Sequence, residues 1–231
     1  GARPFAERMG AAVTGGGFAM EGYWVWCGSV GKGRDWRYHM FASRWPKTYP
    51  FFQGYTACSE IVRAVADRPE GPFVFEEVVI GARDPSCWDG RMAHNPHLFR
   101  WKDGWYLYYC GATYGEEASP EWMWDLNRDP EGGKNGRMPP WMEAMQTGAA
   151  FAEDLAGPWR RPDQPLELAH PDRPEKRRVV NLCAAETPDR RVRTMYRVSG
   201  VGLVTALADH PEGPFPDHEK HLFYDYADQS Y

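Results

Sequence analysis

The chain has 231 residues, of which 42% are hydrophobic and 26% charged, and this composition supports a packed core. Its formal net charge of -5 provides no basic surface for nucleic acid. No segment approaches the roughly 18 to 20 apolar residues that a membrane helix needs. We therefore expect neither a nucleic-acid partner nor a membrane association. Residues 1–10 lack the apolar stretch of a signal peptide, which leaves open both a cytoplasmic location and export with the signal removed.

Aromatic residues make up 15% of the chain, with 11 Trp, 12 Tyr and 11 Phe. Aromatic and β-branched side chains fit the pleated surface of a sheet, so this content favours an all-β fold. Flat rings also suit the stacking of sugar C–H faces. The five cysteines are an odd number and form no Cys-x-x-Cys pair, which predicts buried free thiols instead of a disulfide framework or a zinc knuckle.

Strand-like segments occur in pairs along the chain. Asp-Gly between two aromatic-rich runs is a strong hairpin signal, and it occurs at Lys102-Asp103-Gly104. The other two pairs flank turns that contain Gly or Pro-Asp. The three pairs are residues 23–30 with 38–43, the two runs within 94–110, and residues 179–185 with 192–197.

A repeated motif follows each pair. Segments 59–73, 147–159 and 201–215 each read as a strand of small and apolar residues, an acidic turn, and then Gly-Pro-aromatic. A further strand follows the motif, most clearly at residues 75–80. The repeating unit is therefore a four-stranded antiparallel meander, which is the blade of a β-propeller. We predict one propeller domain over residues 1–231, with blades at about 20–80, 89–168 and 179–225.

Three blades do not close a ring, because propellers typically have about four to eight. Missing blades, a truncated chain and assembly with another copy are the alternatives, and truncation is the one we favour. An incomplete ring is expected to self-associate through its unpaired strand edges. Helix signals are weak, the longest being residues 120–127. These lie within the insertion 113–146, which is predicted to be a functional loop.

Several segments resemble bacterial five-bladed propeller glycoside hydrolases, the family 43-like group. The segments that carry the resemblance are 20–30, 38–46, 59–64, 88–97 and 157–159. It implies a pocket at the ring centre, carboxylic acids contributed by different blades, and a structural calcium ion by analogy. Nothing in the sequence points to an organic cofactor. The sequence departs from the pattern in lacking a Glu-Asp-Pro strand start, and in having Asn181-Leu182 where Asn-Pro is expected.

Glycoside hydrolysis needs one carboxylic acid and one base or nucleophile. Three carboxylates lie near the expected pocket end of the blades. Glu21 precedes the first inner strand, where the resemblance places a catalytic base. Asp89 precedes the second inner strand, with a simple Asp-Gly turn as the alternative. Glu60 lies in an otherwise apolar strand, where burial raises a carboxyl pKa, with a salt bridge to Arg44 or Arg63 as the alternative.

Other residues near the same end are candidates for substrate binding. Arg44 presents a fork suited to an anionic sugar, and Trp45 offers a flat ring, or alternatively packs at the rim. His94 is predicted to bind a hydroxyl or tune a carboxyl group. The spacing of His94 and His97 along a strand argues against a shared metal. The full substrate-binding set is Arg44, Trp45, Arg91, His94 and Asn95, and Trp122, Trp124 and Trp141 are candidates for outer subsites or a flap.

The first hypothesis for function is a glycoside hydrolase that acts on an oligo- or polysaccharide. The second is a carbohydrate-binding propeller, or an inactive fragment, without a matched pair of acids. The third is a scaffold for protein partners. Substitution of the three candidate carboxylates separates the first two, because catalysis is lost in an enzyme while affinity for the sugar persists.

Overall fold

A computed structural model describes residues 10–11, 13–102, 104–115, 145–168, 178–198 and 202–221. The predicted aromatic insertion, including residues 120–127 and Trp122, Trp124 and Trp141, lies outside these ranges. Apart from one short helix, the regular secondary structure of the described part is β, in three separate antiparallel sheets. Its one helix has eight residues, and no helix there is long enough to cross a bilayer.

The first sheet has four strands in chain order. They are β1 (Tyr23–Lys32), β2 (Tyr38–Pro46), β3 (Glu60–Ala66) and β4 (Val74–Ile80), with α1 (Phe51–Cys58) between β2 and β3. The predicted hairpin at residues 31–37 is confirmed, since Lys32 pairs with Tyr38. Each strand neighbours the next in sequence, as the meander requires.

The second and third sheets repeat this order. The second contains β5 (Met92–Trp101), β6 (Gly104–Ala112) and β7 (Gln146–Ala152), and the third contains β8 (Val179–Glu186), β9 (Val192–Val198), β10 (Gly202–Ala208) and β11 (Asp217–His221). In the second sheet the place of the fourth strand is taken by an isolated bridge between Phe151 and Arg160. Pro158, Pro162 and Pro165 explain this, because proline has no N–H to donate to a ladder.

The innermost strands of the three sheets pack on one another, β1 against β5 and β5 against β8. Sheets arranged radially around their first strands form a β-propeller, and the predicted fold is therefore confirmed. Between the sheets lie buried apolar layers. Phe41 and Ile61 meet Ala93 and Leu107 between the first two sheets. Tyr108 meets Val179, Leu182 and Tyr196 between the second and third.

The repeated Gly-Pro-aromatic motif forms the same turn three times. Gly71, Gly157 and Gly213 have φ of 85°, 85° and 88°, and each is joined to its proline by a cis bond. A residue with a side chain rarely adopts this φ, and a Cβ on Gly71 would lie 2.9 Å from the Gly17 carbonyl oxygen. The motif therefore fixes the start of the outermost segment of each blade.

The helix α1 was not predicted. Its sequence carries no capping side chain at Pro50 and includes Gly54, so the local signals for a helix are poor. Tertiary contacts stabilise it, since Phe51 packs edge-on against Trp24 and Trp45. A Cβ on Gly54 would lie 2.3 Å from Trp45 Cδ1, so the glycine lets the helix approach the sheet.

The prediction of free thiols is confirmed for all five cysteines, but full burial is confirmed for Cys110 alone, since Cys58 and Cys87 are only partly buried. Cys110 is buried, whereas Cys27 and Cys183 are exposed. Both exposed thiols lie on innermost strands, at or beside an irregular pair of residues. This irregularity recurs in all three blades and marks the candidate site.

Candidate active site

Each innermost strand carries the same β-bulge. In β1, β5 and β8 two residues oppose a single residue of the second strand, between Trp26 and Ser29, between His94 and His97, and between Val180 and Cys183. The first bulged residue has a positive φ in each case, 52° for Cys27, 52° for Asn95 and 60° for Asn181. Bulges re-aim side chains and are common next to active sites. We call Cys27, Asn95 and Asn181 the axial cluster.

The preceding blade anchors each of the later two bulges. The Asn95 N–H donates to Ser43 Oγ at 2.9 Å, and the Asn181 N–H contacts Cys110 Sγ at 3.2 Å. Ser43 and Cys110 occupy equivalent positions, because each pairs with the residue before the bulge in its own blade. At each of the two junctions, the backbone N–H of the bulged residue thus contacts a side chain at the equivalent position of the preceding blade. These contacts fix where the bulged side chains lie.

The axial cluster is polar and bonded within itself. Asn95 Nδ2 donates to Asn181 Oδ1, and the Cys110 thiol lies 3.9 Å from the same oxygen. Asn95 Oδ1 is buried and accepts no hydrogen bond from the described residues. Desolvation and the neighbouring Cys110 thiol raise the pKa of Cys27 to about 11, so this thiol is protonated at neutral pH. The cluster therefore offers neutral donors and acceptors of the kind that bind sugar hydroxyls.

His94 lies one residue before the second bulge and is predicted to bind substrate. Its ring is buried, with Nδ1 2.8 Å from Ser59 Oγ, and it packs against Trp45 and Tyr55. Burial lowers the pKa of His94 to about 3, so the imidazole is neutral at physiological pH. His97 instead contacts the Ala184 carbonyl oxygen of the third sheet, so the two imidazoles face different neighbours.

An aromatic shelf lies beside the axial cluster, formed by Trp24, Trp26, Phe51 and Phe52. Phe51 packs edge-on against Trp24 and Trp26 at 5.6 and 5.3 Å between ring centroids. Trp26 directly precedes Cys27 and leaves 50% of its surface exposed, and Phe52 leaves 49%. Trp45, the predicted stacking residue, is fully buried beneath Phe51 and Tyr55. Beside the axial cluster, the rings open to a ligand are thus those of the shelf.

Arg44 and Glu60 form a pair on the first blade. Arg44 Nε and Nη2 both lie 2.8 Å from Glu60 Oε1, and Nη1 contacts Met20 Sδ. Side chains alternate along a strand, so Arg44 projects from the face opposite Ser43, which contacts the second blade. Glu60 is the first residue of β3 and keeps 27% of its side chain exposed. The salt bridge weighed as the alternative for Glu60 is therefore present.

Asp89 lies in a different environment. It is fully buried, with Oδ1 2.6 Å from Arg83 Nε, and Oδ2 2.7 Å from Arg161 Nη2 and 2.6 Å from the donating Tyr109 hydroxyl. Arg83 also donates to the Pro162 carbonyl, and Arg161 to the Gly81 carbonyl. Burial and the Asp89 charge raise the pKa of Tyr109 well above its ordinary value. This network ties the segment after the first blade to the outer segment of the second.

Glu21 is the exposed carboxylate of the three. It lies in the turn that precedes β1, where the Lys47 N–H donates to the Gly22 carbonyl oxygen at 2.8 Å. Met20, its neighbour in the chain, contacts Arg44, so Glu21 and the Arg44–Glu60 pair belong to the same end of the first blade. Arg91 stacks over the ring of Tyr114 at 5.6 Å, at the same end of the second blade.

The structure brings some predicted residues together and separates others. His94 and Asn95 lie at the axis, Glu21, Arg44 and Glu60 lie at one end of the first blade, and Asp89 lies in the interior between blades. The sequence analysis gave no binding or catalytic role to Cys27 or Asn181. The sequence feature that could have identified them is a dipeptide at the same place in each innermost strand: Cys-Gly in the first, Asn-Pro in the second and Asn-Leu in the third.

Comparisons with known proteins support the propeller fold. A family 117 glycoside hydrolase of the marine bacterium Zobellia galactanivorans superimposes with a TM-score of 0.60 at 17% identity, covering 85% of this chain and 54% of that one. A family 43 β-xylosidase/α-arabinofuranosidase from a compost metagenome superimposes with a TM-score of 0.56 at 13% sequence identity, covering 92% of this chain and 61% of that one. An α-L-arabinofuranosidase of Lactobacillus brevis superimposes with a TM-score of 0.53 at 13% sequence identity, covering 86% of this chain and 54% of that one.

The resemblance to propeller glycoside hydrolases is thereby confirmed at the level of fold. This chain spans a little over half the length of these solved structures. No family model and no curated protein matches the sequence.

Proposed function

We propose that the chain belongs to a glycoside hydrolase that binds an oligosaccharide at the axial cluster and hydrolyses a glycosidic bond. The observation that carries the proposal is the bulge repeated in three blades, which gathers neutral amide and thiol groups beside exposed aromatic rings. Neutral polar groups suit sugar hydroxyls, and exposed rings suit the C–H faces of a pyranose. The solved structures of similar fold are glycoside hydrolases.

The bound sugar would be held from two sides. Asn95 Oδ1, buried and without a donor among the described residues, would accept a hydrogen bond from a sugar hydroxyl, and Asn181 would extend the same row of polar groups. Trp26 would stack on an apolar face of the next ring. His94 would add a neutral imidazole edge, because its low pKa keeps it uncharged. A neutral lining of this kind favours uncharged sugars, and one similar solved structure holds xylotriose.

Bond cleavage requires a proton for the leaving oxygen and a carboxylate for the water or the anomeric carbon. We assign these roles to Glu21 and Glu60, which lie at the same end of the first blade. Glu21 is exposed and can exchange protons with solvent. Glu60 is oriented by Arg44 through Oε1, which leaves Oε2 for the reaction. Asp89 is given a structural role, because two arginines and a tyrosine occupy both its oxygens.

A second candidate function is carbohydrate binding without catalysis. The pairing of Glu60 and Asp89 with arginines favours it, since both carboxylates are already engaged in ion pairs. In that case the axial cluster and the shelf would bind the sugar, and no bond would be cleaved.

Reducing-end release from a panel of neutral glycans, beginning with xylotriose, tests the proposal. We expect release by the natural chain and loss in Glu21→Gln, with the Kd for the glycan nearly unchanged. Trp26→Ala should weaken binding in both candidate functions. Binding without release, in a folded protein, would establish the binding function. A folded protein that neither binds the glycans nor releases reducing ends would rule out both functions.

A further inference from the structure

A groove lies at the end of the first two blades that is opposite to Glu21. It has a volume of about 420 Å³, within the roughly 300–1,000 Å³ typical of small-molecule sites. The residues that line it are Lys32, Gly33, Arg34, Trp36, Arg100 and Trp105. Lys32 ends β1 and Glu21 precedes its start, so the groove lies roughly 30 Å along the strand from the proposed catalytic end.

The lining is cationic and aromatic. Lys32, Arg34 and Arg100 are exposed cations, and none of the described residues that line the groove is a carboxylate. The nearest acidic residue in the turn, Asp35, directs both its oxygens to His39 Nε2, at 3.1 and 3.2 Å. Three cations gathered in one groove contrast with a chain whose net charge is -5. Such a local field selects an anionic ligand.

Two tryptophans give the groove flat walls. Trp36 leaves 78% of its surface exposed, and Lys32 Nζ lies 4.9 Å from the ring centroid. Arg100 stacks over Trp105 at 5.7 Å. Each wall therefore presents a cation next to an aromatic face. This pairing suits a ligand that combines a negative charge with a flat apolar surface.

The backbone of Trp36 adopts an unfavourable conformation. Its φ of 67° is unusual for a bulky residue, and such strained positions cluster at binding sites. Its N–H donates to the Gly33 carbonyl at 3.2 Å. At the base of the groove the blades meet closely, since a Cβ on Gly31 would lie 2.5 Å from Leu98 Cδ2. The groove is thus built across two blades.

We infer that this groove is a second binding site, for an acidic oligosaccharide that carries carboxylate or sulfate groups. A pyranose would stack on Trp36, and its anionic group would meet Lys32 and Arg100. The overall negative charge of the chain argues against nucleic acid as the occupant. The site binds its ligand independently of the axial cluster, so it extends the proposed function and does not depend on it.

Calorimetric titration with trigalacturonate, a sulfated trisaccharide and neutral xylotriose tests the inference in the intact chain. We expect one or both anionic probes to bind, and Lys32→Gln to weaken that binding about tenfold. Trp36→Ala should have a similar effect. Affinity should fall as salt rises, because the cations are exposed. The relative affinities of the two anionic probes identify which acidic group the groove prefers.

Matched variants separate the groove from the general field of the protein. Lys102→Gln removes one positive charge beside the groove, where Lys102 stacks over Trp101 outside the lining. Trp26→Ala removes an exposed tryptophan at the other end of β1. Both should leave binding of the anionic probe within about twofold of the natural chain. Equal losses in Lys102→Gln and Lys32→Gln, or no binding of either anionic probe, would overturn the inference.

Discussion

Asp89 and Asn95 lie six residues apart at the start of the second blade, yet the fold treats them in opposite ways. Asp89 is a buried charge whose two oxygens are both occupied by donors. Asn95 is a neutral group at a strained φ, with a buried oxygen that lacks a donor among the described residues. A fully paired buried group stabilises the protein, whereas an unsatisfied one at a strained position is suited to a ligand. The comparison separates a structural role, that of Asp89, from the ligand-binding role that we propose for Asn95.

Loss of Asp89, the fully paired residue, should have the largest effect on stability. Asp89→Ala would leave the guanidinium groups of Arg83 and Arg161 facing each other without a counter-charge. We expect the free energy of unfolding to fall by about 3–5 kcal/mol. Urea denaturation measures this, with Asp67→Ala as the control, since that carboxylate is 91% exposed and should cost under about 0.5 kcal/mol. A loss below about 1 kcal/mol with abolished hydrolysis would instead place Asp89 in the chemistry.

His94 should give a pH-dependent effect of intermediate size. Its pKa is about 3 in the folded chain and about 6.5 when unfolded, so the unfolded state binds more protons between these values. Stability contributed by the neutral imidazole is therefore present above about pH 6.5 and is lost as the pH falls toward 3. At pH 5 the loss should be about 2 kcal/mol relative to neutral pH.

Urea midpoints at pH 7 and pH 5 check this prediction. In His94→Gln this part of the pH dependence should disappear, because glutamine does not titrate in this range. An unchanged difference between the two pH values in the variant would show that another group is responsible. His39→Gln is the matched control, since His39 is also buried but is paired with Asp35.

Glu60 is paired with an arginine, as Asp89 is, but water reaches its side chain. Glu60→Gln removes a charge from a pair in which Arg44 is largely buried but Glu60 is partly exposed. We expect a destabilisation of about 1 kcal/mol, smaller than for Asp89 because water reaches the glutamate. Under the proposed function, hydrolysis should also be lost. Full activity in this variant would remove Glu60 from the proposed catalytic pair.

The repeated blades were predictable because their signals are local. The Asp-Gly hairpin and the three Gly-Pro-aromatic turns each determine a chain reversal from a few neighbouring residues. Helix α1 was not predictable in this way, because the contacts of Phe51 and Gly54 with the tryptophans of β1 and β2 stabilise it. Local propensity favours other structures in its sequence.

The site was predicted less completely than the fold. His94 and Asn95 were selected because they lie at the start of the second blade's innermost strand, at the expected pocket end. The environments of Asp89 and Glu60 depend on partners distant in the chain, such as Arg161, which is 72 residues from Asp89. Sequence position alone does not distinguish a carboxylate held by arginines from one that faces solvent. The axial cluster required the register of all three innermost strands, since the bulges appear only when the pairings are compared.

Glu21 should show the smallest effect on stability and the clearest effect on function. It is exposed in a turn, so Glu21→Gln should change the free energy of unfolding by less than about 0.5 kcal/mol. If Glu21 transfers a proton in the reaction, hydrolysis should fall by about 100-fold or more. Glu70→Gln is a suitable control, because Glu70 also lies in a turn but belongs to the Gly-Pro motif. Activity that survives Glu21→Gln would remove Glu21 from the proposed catalytic pair, and another carboxylate would then have to supply the proton.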